Sequence, residues 1–166
     1  MLRRSLLLSG ALGWSLCAPV SAASPASVAL PRRTLVFPRD HGAHPELRTE
    51  WWYVTGHASA GSGADARAFG FQVTFFRTRV DAAQGIASAF AAKQLIFAHA
   101  AVTDVQGRRL WHDQRIARQG FGVAETSLTD GVLKLRDWSL ARSPADGAWQ
   151  ARVKGGDFAL DLRFTP

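Results

Sequence analysis

FPRDHGAHPELRTEWWYVTG, residues 37–56, crowds basic, acidic, imidazole and aromatic groups into one short stretch. Pro38 and Pro45 interrupt regular structure, so His41 and His44 are expected on a loop rather than a helix. From Glu50 to His57 the pattern turns β-like, with successive side chains on opposite faces. Trp51, Tyr53, Thr55 and His57 then share one face, and Glu50, Trp52, Val54 and Gly56 share the other. Large aromatics on both faces leave two readings open. In one, the tryptophans are scaffold, filling a core on one side and packing under a loop on the other. In the other, one of them lines an apolar cavity while its neighbour pins the Asp40–His44 loop.

The β signal continues outward from this stretch. Phe69, Phe71, Val73 and Phe75 alternate with Gly70, Gln72, Thr74 and Phe76, and residues 95–102 repeat the pattern. Both faces of these runs are apolar, as for strands covered on each side or facing a closed interior. Gln106-Gly107 marks a hairpin turn into Arg108–Asp113, and Asp130-Gly131 a turn into a strand over Val132–Leu140. Ala148–Val153 is expected to pair with Phe158–Phe164, whose Phe158, Leu160, Leu162 and Phe164 point inward. Ile86–Lys93 alone hints at a short helical turn. Strands at hairpin spacing predict an all-β chain: an antiparallel β-barrel or strongly curved sheet.

The 166 residues leave room for one domain and a leader, and an apolar share of 47% excludes wholesale disorder. Met1-Leu-Arg-Arg, an apolar run over Ser5–Ala18 and the small residues Val20-Ser21-Ala22 read as an export signal peptide, 1–22. Arg3-Arg4 partly matches a twin-arginine signal, but Leu2 stands where a polar residue is usual, so Sec export fits as well. Residues 23–33, rich in Ala, Ser and Pro, read as a linker. The expected location is therefore periplasmic. Losing the leader removes Arg3 and Arg4 and no acid, taking the net charge from +7 to +5. The remaining basic residues are scattered among acids, which argues against nucleic acid as a partner. Cys17, the single cysteine, lies in the leader, so the mature chain has no disulfide and no thiol nucleophile.

The 37–56 stretch resembles the N-terminal signature of the carotenoid 1,2-hydratase and AttH-like family of lipocalin-like proteins. FGFQVTFFRTR (69–79), LIFAHAAVTD (95–104), HDQRIARQGFG (112–122), LRDWSLAR (135–142) and DFALDLRFTP (157–166) resemble it in the same order. The resemblance implies a lipocalin-like domain over 34–166, truncated at its C-terminal end and forming one half of a two-barrel protein. It also implies hydro-lyase chemistry, the addition of water to an isoprenoid double bond. The family's best acidic and aromatic catalytic candidates belong to the C-terminal half, so this half-length chain is expected to be inactive by itself. Two functions stay open: the hydrophobic-ligand-binding part of an exported hydratase-like enzyme, or a non-catalytic carrier of a lipid-like ligand or accessory of a membrane transporter.

Alkene hydration needs an acid to protonate the double bond, aromatic faces to stabilise the cation, and a held water. Asp40 and Glu50 are the acid candidates, with Trp51, Trp52 and Tyr53 as the aromatic faces. His99, between Phe97 and Ala101, is a further catalytic candidate whose plainer role is a satisfied core histidine. The ligand-binding candidates are Trp51, Trp52, Tyr53, His57, Gln72, Phe75 and Phe97. Arg48 and Glu50 are suited to an ion pair at a barrel rim, and Asp40 to accepting bonds from loop amides. His41 and His44 lack a third ligand at the usual distance, so no metal is expected. No phosphate cradle or serine-nucleophile elbow is present, and no cofactor is expected. The expected partner is a hydrophobic small molecule, isoprenoid or lipid-like.

Overall fold

Alternation along the strands decides which side chains meet in the core. The computed structural model describes residues 32–165; the expected signal peptide and most of the expected linker lie outside the described residues. Two antiparallel sheets are formed. The first, in the order β1-β2-β3-β4, comprises β1 (Thr49–Ala60), β2 (Arg67–Arg79), β3 (Gln94–Asp104) and β4 (Arg109–Arg118). The second, β5 to β9 in order, comprises β5 (Ala124–Thr126), β6 (Val132–Leu135), β7 (Trp138–Arg142), β8 (Trp149–Lys154) and β9 (Ala159–Phe164). Within each sheet every strand pairs with its neighbour in sequence; short turns supply most of the connections, and a longer loop over 80–93 joins β2 to β3. Helix among the described residues is limited to single 3-10 turns at Arg39–His41, Gly63–Asp65 and Asp81–Ala83.

The inward rows meet between the sheets. Val73, Phe75, Ile96, Ala98 and Ala100 from the first sheet pack with Leu133, Leu135, Trp138, Leu140, Ala151 and Val153 from the second. All are almost wholly buried, and close packing of such rows is the main source of stability in a chain without cross-links. Trp52, Val54, Leu160, Leu162 and Phe164 complete the rim of this core. The expected hairpin of β8 and β9, with Leu160, Leu162 and Phe164 turned inward, is present.

The structure narrows one expectation and corrects two. The β1 and β9 edges do not pair, so among the described residues no closed barrel forms, which leaves the curved-sheet alternative of the expected all-β fold. An apolar slot of about 300 Å³ separates them, lined by Trp51, Trp52 and Tyr53 on one side and Leu140, Trp149 and Phe164 on the other. Side chains thus stand where ladder hydrogen bonds would have to run. The single strand expected over 132–140 is two strands, β6 and β7, joined by a tight turn at Arg136 and Asp137 with Arg136 at φ 58°. That turn keeps both Leu135 and Trp138 in the core. The helical turn expected over 86–93 is absent; the 3-10 turn falls earlier, at Asp81–Ala83. The loop is closed instead by the Gln84 amide, which donates to the carbonyls of Val80 (2.9 Å) and Lys93 (2.8 Å).

Candidate functional site

The loop that opens the signature stretch is tied to the first sheet by a buried polar chain. The 3-10 turn at Arg39–His41 brings Asp40 back over Val36, whose amide donates to Asp40 Oδ2 at 2.6 Å. His44 lies with Nε2 2.9 Å from Asp40 Oδ1 and Nδ1 2.6 Å from Glu50 Oε1. Carboxylate oxygens only accept, so both bonds are complete when an imidazolium donates through its two nitrogens. Glu50 also accepts from the His44 amide and, at 2.6 Å, from Arg77 Nε. Arg77 is 0% exposed. Its remaining donors reach Gln94 Oε1 (2.6 Å) and the carbonyls of His44 (2.8 Å) and Leu47 (2.7 Å). A guanidinium so deeply buried is tolerable only with this degree of pairing. It joins β1, β2, β3 and the loop through one side chain.

The loop is held from the other side as well. Trp52 Nε1 donates to the His41 carbonyl at 2.9 Å, and the Ala43 amide to the Ser127 carbonyl at 2.8 Å. At Gly42 an added Cβ would stand 2.9 Å from the backbone of Ser127 and Leu128, so only glycine allows this approach. The His41 ring lies 4.4 Å from Phe37 and edge-on to Trp149 at 5.5 Å. His41 and His44 therefore face different partners, and among the described residues no group of His, Asp or Glu is arranged to hold a metal ion. The expected Asp40 acceptor role is present. Glu50, however, pairs with Arg77 rather than with Arg48, because register places Arg77 directly across from it. A shallow hollow of about 400 Å³ lies beside the network, bordered by Asp40, His44, Glu50, Trp51, Trp52 and Trp149.

The outer face of the first sheet has a different character. Register aligns Trp51, Phe76, Phe97 and Ile116 in one apolar rung across all four strands. The next rung is Tyr53, Thr74, His99 and Gln114, and the one beyond it Thr55, Gln72, Ala101 and His112. Phe76 stacks on Phe97 at 4.9 Å and on His99 at 5.7 Å. Trp51 is 60% exposed, Tyr53 62% and Ile116 60%. Trp51, Tyr53, Gln72, Thr74, Phe76 and His99 line an open concavity of about 330 Å³.

The structure thus divides the sequence-derived candidates. Trp51, Tyr53 and Gln72 meet in the concavity, with Phe97 beside them through its stacking on Phe76. His57 is exposed on the same face, two residues beyond Thr55. Trp52 and Phe75 belong to the opposite face: Phe75 is a core residue, and Trp52 packs against the core and holds the loop. Asp40 and Glu50 sit together in the buried network. His99 is apart from them, half-buried in an aromatic stack on the outer face rather than in the core. Sequence reasoning missed Arg77 and Phe76. The signal for Arg77 was its parity, since it continues the inward row of Val73 and Phe75.

The comparisons with known proteins agree with this architecture. A family model described as AttH-like matches residues 28–166. The crystal structure of a candidate AttH from Nitrosomonas europaea superposes with a TM-score of 0.67 at 41% sequence identity. The match covers 82% of this chain and 39% of that one, so the chain spans well under half the length of that protein. No curated protein matches. With its signature loop locked onto a four-stranded sheet and the family model matching from residue 28 onward, the chain belongs to the AttH-like family.

Proposed function

We propose that this domain binds an elongated apolar ligand, isoprenoid or lipid-like, on the outer aromatic face of the β1–β4 sheet. The observation that carries the reading is the Trp51–Phe76–Phe97–Ile116 rung, exposed at Trp51 and Ile116 and half-exposed at the two phenylalanines, while the space between the sheets is filled by buried side chains. Covering about 100 Å² of such a ring is worth about 2.5 kcal/mol, so two or three rings together support useful affinity. Gln72, Thr74 and His99 border the concavity and offer the few polar contacts that fix a ligand's orientation.

The role is that of a carrier or binding half rather than a self-sufficient hydratase. No carboxylate lines the concavity, whereas the acids Asp40 and Glu50 already serve the loop network. Hydration of a double bond would require an acid brought to this face from elsewhere. The leader reading supports action outside the cytoplasm, in the periplasm.

Retinol, a polyene alcohol, is a suitable probe because it accepts energy from excited tryptophan. Saturable quenching is expected in the wild type, with at least tenfold weaker binding in Phe76→Ala at an unchanged fold. Non-saturable quenching, or equal affinity in the variant, would defeat the reading.

A further inference from the structure

Arg118 ends the outward row of β4 that runs Leu110, His112, Gln114, Ile116, Arg118, and so stands next to the aromatic rung at Ile116. Its guanidinium carbon lies 4.1 Å from the Phe121 ring centroid and 5.5 Å from that of Phe90, and those two rings stack on each other at 5.5 Å. Nη1 donates to the Phe90 carbonyl at 3.0 Å. Among the described residues no carboxylate lies within ion-pair reach of this arginine, in contrast to Arg77, Arg115 and Arg142. Two rings and one carbonyl hold the group in place without cancelling its charge. Nε and Nη2 remain available as donors.

The backbone supports the same arrangement. Gly120, Phe121 and Gly122 all have left-handed φ, at 108°, 59° and 69°. A phenylalanine resists that region, yet its ring is 58% exposed, and Phe90 is 72% exposed. Burial within this chain therefore does not repay the strain, and strain kept at an exposed aromatic points to a binding role.

We propose that Arg118 is the head-group site of the outer face, and that the ligand is a single-chain amphiphile with a carboxylate head. The proposal rests on the apolar-ligand reading above. The carboxylate lies in the fork of Nε and Nη2, a geometry that suits two parallel N–H···O bonds. The tail crosses Ile116, Phe97, Phe76 and Trp51, about 14 Å at the usual spacing of neighbouring strands.

Retinoic acid and retinol test this, because they share a tail and differ at the head. At neutral pH the wild type should bind the acid about tenfold more tightly than the alcohol, with the preference shrinking at high salt. Arg118→Gln should abolish the preference, leave retinol affinity within about twofold and melt like the wild type, while Arg118→Lys restores part of it. Equal wild-type affinity for the two, or an Arg118→Gln variant that loses both alike, would overturn the head-group assignment and leave the apolar-ligand reading standing. Binding of neither would overturn both. Arg118-dependent sedimentation with phosphatidylglycerol vesicles, without any preference for monomeric retinoate, would overturn it in favour of a bilayer surface.

Discussion

The two faces of the β1–β4 sheet are built from the same strands and bear opposite commitments. Trp52 and Trp51 are adjacent, yet Trp52 packs against the core with its indole N–H on the His41 carbonyl, whereas Trp51 is largely open to solvent. On the inner face, Glu50 and Arg77 are cross-strand partners with every charge matched. On the outer face, the corresponding rungs carry aromatic rings and a histidine, with Trp51, Tyr53 and Ile116 largely exposed, and beside them an arginine that two rings and a carbonyl hold without a carboxylate partner among the described residues. A sheet that needed only to fold would not keep so much apolar surface exposed on one side. The inner face holds the domain together, and the outer face is where the proposed ligand would bind.

The sharpest way to break this contrast is to remove Arg77. Arg77→Ala leaves Glu50 and the carbonyls of His44 and Leu47 buried without their donor, and should cost about 3–5 kcal/mol, enough to unfold a domain of ordinary stability. Chemical denaturation would register it. The paired replacement Glu50→Gln with Arg77→Met should be milder, because it leaves no buried charge unpaired. A double variant as damaged as Arg77→Ala would mean that the pair itself, rather than the orphaned partner, is what matters.

A smaller contrast separates the two tryptophans. Trp52→Ala should lower stability by about 3 kcal/mol, through a cavity at the core rim and a freed loop. Trp51→Ala should stay within about 1 kcal/mol. Thermal melts of the two variants side by side give the comparison, and equal losses would erase the distinction between the faces.

The smallest expected effect is with pH. Asp113 is held below the ordinary aspartate value by the hydrogen bond from Arg115, Asp161 by that from Gln150, and Asp146 by that from Ser143. A lowered carboxyl favours the folded state fully above its ordinary value, and the benefit is lost as pH falls through the lowered one. Melting temperature should therefore be flat near neutrality and decline gently below about pH 4. All three aspartates are solvent-accessible, so a steep acid transition would contradict this account.

Much of this was legible in the sequence, because strand alternation is a local property. The opposite facing of Trp51 and Trp52 and the inward row of β9 follow from a period of two, and the Asp130-Gly131 turn from its residue types. The split of 132–140 was hidden because Arg136 gives no glycine-like signal for its positive φ. The Glu50–Arg77 pair was hidden because it depends on register between strands, with the partners 27 positions apart in sequence. The nearer Arg48 looked the better partner only because sequence distance is not spatial distance. Phe75 was read as a ligand contact for a related reason: alternation says that Phe75 and Phe76 face opposite ways, but not which way is outward. That choice is made by the second sheet, whose apolar row covers Phe75 and leaves Phe76 to the rung with Trp51.

Indole ¹⁵N–¹H spectra recorded during a retinol titration test the division of faces most directly. The Trp51 Nε1–H signal should shift saturably, while that of Trp52, bonded to the His41 carbonyl, stays in place. A saturable shift of Trp52 with Trp51 unmoved would put the ligand inside the sandwich and contradict the assignment of the outer face.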